Sequence, residues 1–250
     1  MFFGIDLNQV FTFPFKDAES RKYFLIGCGV ALLGIIIPLI PYLALLGYAA
    51  RIARQIFNDE SPHMIAWDDW GGMIRDGARM FGVRMIYALP ILILIIPLVL
   101  SGIALPFIME NANRVNADSI IVLFSLFFIA VICLLIPISL PLAAIIPAAE
   151  LYTVDKIEFA AGFRIREWWP IFRINLGGFI AAFVIYYIAS MALAFILQIL
   201  MATIILLCLL PIFMPALTLY ISLIMYTTIA QAYKVGKDKL KQTQIMPIAA

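Results

Sequence analysis

Residues 119–149, SIIVLFSLFFIAVICLLIPISLPLAAIIPAA, form an uncharged stretch of 31 residues that decides the fold class of this chain. About 20 consecutive apolar residues are enough for a helix to cross a bilayer. Three more uncharged stretches cover residues 23–50, 85–109 and 174–233. Charged residues make up only 13% of the 250 positions, against roughly 25% in an ordinary soluble domain. The sequence therefore predicts an all-α integral membrane protein.

The charge, cysteine and histidine contents argue against several other classes of protein. A net charge of +2 is too small for a nucleic-acid-binding protein, which carries a clustered basic face. The three cysteines lie inside apolar stretches without C-x-x-C spacing, so we interpret them as small buried hydrophobic residues. His63 is the only histidine, which argues against a zinc site and against a histidine-activated nucleophile. We expect no metal, no cofactor and no nucleic-acid partner.

The basic residues predict how the chain threads the membrane. All lysines and arginines except Arg114 fall in four segments, residues 16–22, 51–84, 156–173 and 234–241. Basic residues near span ends are retained on the cytoplasmic side. If all four segments are cytoplasmic, each stretch between them crosses an even number of times. This predicts about six transmembrane helices arranged as three hairpins, with both termini on the cytoplasmic side of the membrane.

The first hairpin is the difficult one, because its 28 uncharged residues are long for one crossing and short for two. Pro38 and Pro41 lie near the middle and favour a bend, since proline interrupts a helix. A single crossing here is the alternative, and it places three basic residues outside. The predicted segments are an interfacial N-terminus (1–20), hairpin 1 (22–57), an amphipathic helix (68–84), hairpin 2 (85–153), a second amphipathic helix (156–172), hairpin 3 (173–235) and a basic tail (236–250).

The two amphipathic helices are expected on the cytoplasmic side, with all four tryptophans. Tryptophan prefers the headgroup level, so the simple interpretation is an aromatic belt that anchors both helices to the inner leaflet. The sharper interpretation is a docking platform for a protein partner, or a site for anionic lipid. The candidate lipid- or partner-facing residues are Arg51, Arg54, Arg75, Arg79, Arg164, Arg166, Trp67, Trp70, Trp168 and Trp169.

Polar residues within the apolar stretches are the candidate signs of transport. They are Glu150, Asn175, Gln198 and Gln231. Such residues mark substrate pathways in transporters, but they also form ordinary helix–helix contacts. Acids in the second basic segment allow one further hypothesis, a metal-dependent lipid-phosphate enzyme. These acids are Asp59, Glu60, Asp68, Asp69 and Asp76.

Three short motifs carry a family resemblance. Gly47-Tyr48-Ala49-Ala50-Arg51 is followed by the segment from Ser61 to Trp70 and then by Asp76-Gly77. The pattern resembles a family of prokaryotic multi-pass proteins known as domain of unknown function 4013, most densely over residues 20–95. The resemblance implies a helical membrane domain in a prokaryotic plasma membrane and supplies no activity or substrate.

The sequence favours a non-enzymatic membrane protein that acts as an anchor or as a subunit of a larger assembly. Its amphipathic helices would face lipid or a cytoplasmic partner, and the chain itself is expected to have a protein partner or to form an oligomer. The alternatives are a permease or channel, with or without an attached ATPase, and the lipid-phosphate enzyme.

Overall fold

The computed structural model describes residues 3–110, 114–202 and 210–245. Cys208, residues 111–113 and the end of the tail lie outside the described residues. Within these ranges the chain forms eight α-helices and two short 3₁₀ turns, Phe13–Phe15 and Phe159–Phe163. The helices are α1 (Leu7–Thr12), α2 (Ala18–Leu33), α3 (Leu39–Phe57), α4 (Trp70–Glu110), α5 (Arg114–Lys156), α6 (Ile165–Ile174), α7 (Leu176–Met201) and α8 (Leu210–Ile245).

Four of these helices, α4, α5, α7 and α8, are long and apolar enough to cross a membrane. The described chain is therefore an all-helical membrane protein, as predicted. The helices of the first hairpin are shorter. With 16 and 19 residues, α2 and α3 are about 24 and 28 Å long, against a hydrocarbon core of about 30 Å.

The predicted boundaries at residues 84 and 156 differ from the observed ones. Helix α4 continues without a break from the amphipathic segment into the apolar one and includes Pro90, Pro97 and Pro106. The second amphipathic segment is divided instead. Ile157 has a positive φ of 57°, which a β-branched residue adopts only outside a helix, so α5 ends at Lys156. A 3₁₀ turn and the ten-residue α6 follow.

Two compact units are formed by the chain. We call residues 84–146 the apolar unit and residues 1–83 with 147–250 the packed unit. Large apolar side chains of the apolar unit are exposed along both of its helical segments, and Cys133 is exposed with them. Our expectation that all three cysteines are buried is therefore wrong for Cys133, because its surroundings in this unit are open.

In the packed unit, α2 and α3 form an antiparallel hairpin, and the loop between α3 and α4 contacts both of its helices. The Trp67 ring stacks on Tyr48 of α3 with 4.2 Å between ring centroids. The Trp67 indole N–H also donates to the carbonyl oxygen of Tyr23 on α2, at 2.9 Å. Leu219 and Leu223 of α8 complete the buried cluster around these rings. The loop after α3 is therefore part of the core.

Two glycines let α3 and α4 cross at backbone contact. A Cβ atom at Gly47 would lie 1.7 Å from the carbonyl oxygen of Met73, and one at Gly77 would lie 1.8 Å from that of Leu43. Only glycine fits at either position. Because Gly47 pairs with Met73 and Leu43 with Gly77, the two helices run in opposite directions, and α4 passes the middle of α3.

The N-terminal segment packs on protein. Ile5, Val10 and Phe13 are buried. The Tyr220 hydroxyl of α8 donates to the carbonyl oxygen of Phe11 at 3.0 Å, and the backbone N–H of Asp6 donates to Gln231 at 2.8 Å. We expected residues 1–20 to be interfacial. Ile5, Val10 and Phe13 pack against the rest of the packed unit, while Phe3, Leu7 and Phe15 are exposed, so the interfacial position stays a prediction.

Candidate functional site

The most strongly charged site in the packed unit centres on Asp76. This carboxylate is 7% exposed and accepts from Arg54 Nη1 at 2.8 Å and from Arg79 Nη1 at 3.0 Å. Arg51 Nε lies 3.8 Å away. Three arginines from two helices therefore share one buried acid, and charge-assisted hydrogen bonds of this kind are the strong ones in proteins.

Asp69 extends the cluster and starts α4. Its carboxylate accepts from the backbone N–H of Gly72 at 3.0 Å, the usual arrangement at a helix N-cap, and from Arg51 Nη2 at 2.5 Å. A Cβ atom at Gly72 would lie 2.2 Å from that arginine nitrogen. The hydrogen bond from Arg51, followed by that from Gly72, lowers the pKa of Asp69 below its usual value.

Further contacts tie α8 to the ends of α3 and α5. Lys237 Nζ lies 2.7 and 2.8 Å from the two carboxylate oxygens of Asp155. Lys234 forms an ion pair with Asp59, and the hydrogen bond from this lysine lowers the pKa of Asp59. Arg54 Nε donates to the carbonyl oxygen of Val154 at 3.3 Å. We call this set the ion-paired base: Arg51, Arg54, Asp59, Asp69, Asp76, Arg79, Asp155, Lys234 and Lys237.

A cavity of about 350 Å³ opens beside the ion-paired base. Four acids, Asp6, Asp59, Glu60 and Asp238, line it together with Lys234. Two glutamines of its lining are hydrogen-bonded to each other: Gln231 Nε2 donates to Gln9 Oε1 at 3.3 Å. Among the residues that the structure describes, no group of three or more His, Cys, Asp or Glu side chains is placed to hold a metal ion. Three acids of the lipid-phosphate hypothesis are held by basic side chains: Asp69 and Asp76 pair with arginines, and Asp59 pairs with a lysine.

Helix α6 presents the second charged surface. Its inner side is buried through Trp168, Ile171 and Phe172. The opposite side is exposed and carries Arg166, Trp169 and Arg173, which recur at intervals of three and four residues, as one helix face requires. We call these three residues the α6 face. Neither of its arginines forms an ion pair in the described part of the chain.

The candidate lipid- or partner-facing residues separate into three groups. Arg51, Arg54 and Arg79 belong to the ion-paired base. Trp67 and Trp168 are buried, at 8% and 1% exposure, because Trp67 stacks on Tyr48 and the Trp168 indole donates to the carbonyl oxygen of Gly162 at 3.0 Å. These two tryptophans therefore pack inside the protein. The exposed group is Trp70, Arg75, Arg164, Arg166 and Trp169, with Arg164 paired to Glu158 at 2.6 Å.

The structure brings three of the four intramembrane polar candidates into contacts with protein. The Tyr226 hydroxyl donates to the fully buried Glu150 carboxylate at 2.7 Å. The Asn175 amide donates to the carbonyl oxygen of Ala232 and accepts from Lys239, both at 2.8 Å. The Gln231 Oε1 atom accepts a hydrogen bond from the backbone N–H of Asp6 in the N-terminal segment. Gln198 is exposed and lies apart from these three.

Comparison with known proteins supplies the family. The model of the family described as protein of unknown function (DUF4013) matches residues 30–202. The chain belongs to this family. The resemblance read from the motifs around Gly47 and Asp76 is thus confirmed. No curated protein and no solved structure matches the chain.

The DUF4013 match divides the ion-paired base. Asp76 and its three arginines lie inside the matched residues, whereas Lys234 and Lys237 of α8 lie beyond them. Sequence reasoning missed Asp155 and these lysines as partners. No local spacing links Lys237 to Asp155, 82 positions away, or Lys234 to the still more distant Asp59. The same reasoning considered the carboxylate of Asp76 only as one of the acids of the lipid-phosphate hypothesis. The spacing from Asp76 to Arg79 on one helix was the one available signal of a pair.

Proposed function

We propose that this protein is a non-enzymatic multi-pass protein of the prokaryotic plasma membrane that serves as an anchor or subunit of a larger assembly. One observation carries the proposal. In the described part of the chain, the arginines of the α6 face are exposed without ion pairs, while Arg164 pairs with Glu158 and the charges of the ion-paired base pair with one another. A surface of this kind is available to an anionic ligand.

The contacts of the base support the predicted return of the chain to one side of the membrane. Lys234 and Asp59 are separated in sequence by several apolar stretches, as are Val154 and Arg54. Segments that touch one another outside the membrane lie on the same side of it. The chain therefore has to return to the base after each excursion, and the positive-inside rule makes that side cytoplasmic, together with both termini.

The position of α6 supports a lipid ligand. Only Asn175 separates α6 from α7, and the exposed apolar side chains of α7 begin at Leu176. A helix that leads directly into a span lies at headgroup level, where Trp169 is also favoured. In the proposal the α6 face binds anionic phospholipid. Each basic residue near an anionic surface contributes about 1 kcal/mol.

The proposal is tested by replacing both arginines of the face, as Arg166→Gln with Arg173→Gln. The protein is purified from membranes that contain phosphatidylglycerol, and retained lipids are counted by native mass spectrometry. We expect the affinity for anionic lipid to fall by about 30-fold, which corresponds to about 2 kcal/mol.

Arg164→Gln is the matched control, because Glu158 already neutralises that arginine. It should retain lipid like the unaltered protein. Unchanged lipid retention in the double variant would argue against a lipid ligand. If the double variant instead lost a co-purifying protein, the α6 face would belong to the assembly.

A further inference from the structure

The tip of the α2–α3 hairpin is an exposed apolar patch. Residues 34–38 join the two helices, and the tip side chains point away from the core. Five large side chains are exposed here, with Ile36 the most exposed at 77%: Ile35, Ile36, Ile37, Leu39 and Ile40. Contiguous apolar surface of this kind marks contact with a membrane or another protein.

Charged residues near the start of α2 limit how deeply the tip can reach. Arg21 and Lys22 are exposed, and Lys16 lies just before them. From Lys22 to Gly34 the helix rises about 18 Å. The hydrocarbon core is about 30 Å thick. With Lys22 at the headgroups, the tip therefore stops inside the hydrocarbon and does not reach the far side.

Helix α4 gives the same limit independently. Gly47, in the middle of α3, contacts the backbone of Met73, two residues before the exposed Arg75. If α3 crossed the bilayer, Arg75 would lie near its centre. A charged side chain there costs at least about 2.5–3.5 kcal/mol. Arg79 of the ion-paired base lies one turn further along α4 toward the tip. With both arginines at the headgroups instead, only the end of α3 nearest the tip enters lipid.

We infer that the α2–α3 hairpin is a re-entrant wedge, whose tip binds the acyl chains of the leaflet on the side of the ion-paired base. The chain then crosses the membrane four times, through α4, α5, α7 and α8, and not six times. The three excursions and returns are unchanged. This inference rests on the one-sided base of the proposed function.

Single cysteines test the inference in full-length protein whose native cysteines are replaced by alanine. Ile36→Cys reports on the tip, Asn58→Cys on the base side and Glu110→Cys on the far side. A membrane-impermeant maleimide is applied to sealed vesicles of each orientation. We expect Asn58→Cys and Glu110→Cys to be labelled from opposite sides, and Ile36→Cys to lose labelling at least 10-fold from both sides until detergent is added.

A bimane fluorophore on the same tip cysteine gives the depth. We expect its fluorescence to be quenched by lipids that carry a nitroxide along the acyl chain. Labelling of Ile36→Cys from the far side would establish a complete crossing and overturn the inference. Labelling from the base side would also overturn it, since the tip would then lie in water. Ile37→Cys serves in the same way if the first variant does not fold.

The proposed function fails by a different result. Lys241→Cys, in the last part of α8, should be labelled from the same side as Asn58→Cys. Labelling of these two positions from opposite sides would show that the residues of the ion-paired base do not lie on one side of the membrane. That result would contradict the proposed function independently of where the hairpin tip lies.

Discussion

The boundaries between the apolar unit and the packed unit fall inside two helices, α4 and α5. The residue types along each helix change at its boundary. Between Trp70 and Val83, α4 carries the glycines and the acid that bring it onto α3. Beyond Arg84 the same helix consists mostly of isoleucine, leucine and proline, with exposed side chains such as Ile93. The first part of the helix is specified by contacts with protein, and the second by its compatibility with lipid.

This difference follows from what a bilayer offers a helix. Lipid tails are as apolar as leucine, so apolar side chains gain little by leaving lipid for a neighbouring helix. Specific helix contacts need small residues or polar partners instead. The packed unit contains both, as the Gly47–Met73 crossing and the Tyr226–Glu150 hydrogen bond illustrate. We therefore expect substitutions to have large effects in the packed unit and small ones in the apolar unit.

The largest effect is expected for Asp76→Asn. The substitution leaves three arginines around a neutral amide, and breaking a buried ion pair costs about 3–5 kcal/mol. The free energy of unfolding, measured in mixed micelles by titration with SDS and followed by circular dichroism, should fall by about that amount. Asp68→Asn is the control, because Asp68 is exposed and forms no ion pair in the described chain. Equal losses of unfolding free energy in the two variants would show that Asp76 does not stabilise the ion-paired base.

Two leucines test the comparison between the units directly. Leu223 is 1% exposed in the packed unit, and Leu123 is 67% exposed in the apolar unit. Leu223→Ala leaves a cavity and should cost about 2–5 kcal/mol, whereas Leu123→Ala, on an exposed surface, should cost less than about 0.5 kcal/mol. The same SDS titration measures both. A comparable loss for Leu123→Ala would show that protein covers the apolar unit.

The sequence predicted those parts of the fold that depend on local composition. Apolar stretches located the four long helices, and Pro38 with Pro41 located the turn between α2 and α3. The residues that fix the packing were less visible. Trp67 and Trp168 were assigned to a membrane belt because tryptophan is typical there, while their burial depends on Tyr48 and Gly162, which only the folded chain brings near.

The candidate site was predictable in its residue types but not in its pairs. Basic segments and helix amphipathicity identified Arg166 and Trp169 of the α6 face. The base could not be assembled in the same way, because Lys237 and Asp155 meet only after α7 and α8 have left the base and returned to it. Hydropathy measures how apolar a stretch is, and it contains no information on which acid a lysine reaches.

The smallest expected effect is the pH dependence of stability that comes from Asp59 and Asp69, the exposed acids of the ion-paired base. Hydrogen bonds from Lys234 and Arg51 lower the pKa values of Asp59 and Asp69 in the folded protein. Between these values and the unfolded value of about 3.9, the unfolded chain binds more protons. Their contribution to stability is therefore complete above about pH 4 and is lost as the pH falls through the folded pKa values.

Unfolding of the unaltered protein and of the Asp59→Asn, Asp69→Asn double variant should be compared from pH 7 to pH 3. We expect the double variant to be slightly less stable at pH 7 and to lose less stability below pH 4, because both side chains are largely exposed and their ion pairs are screened by water. Identical slopes below pH 4 would mean that these two pairs form without stabilising the base. The connection of α8 to α3 would then rest on buried contacts such as those of Leu223.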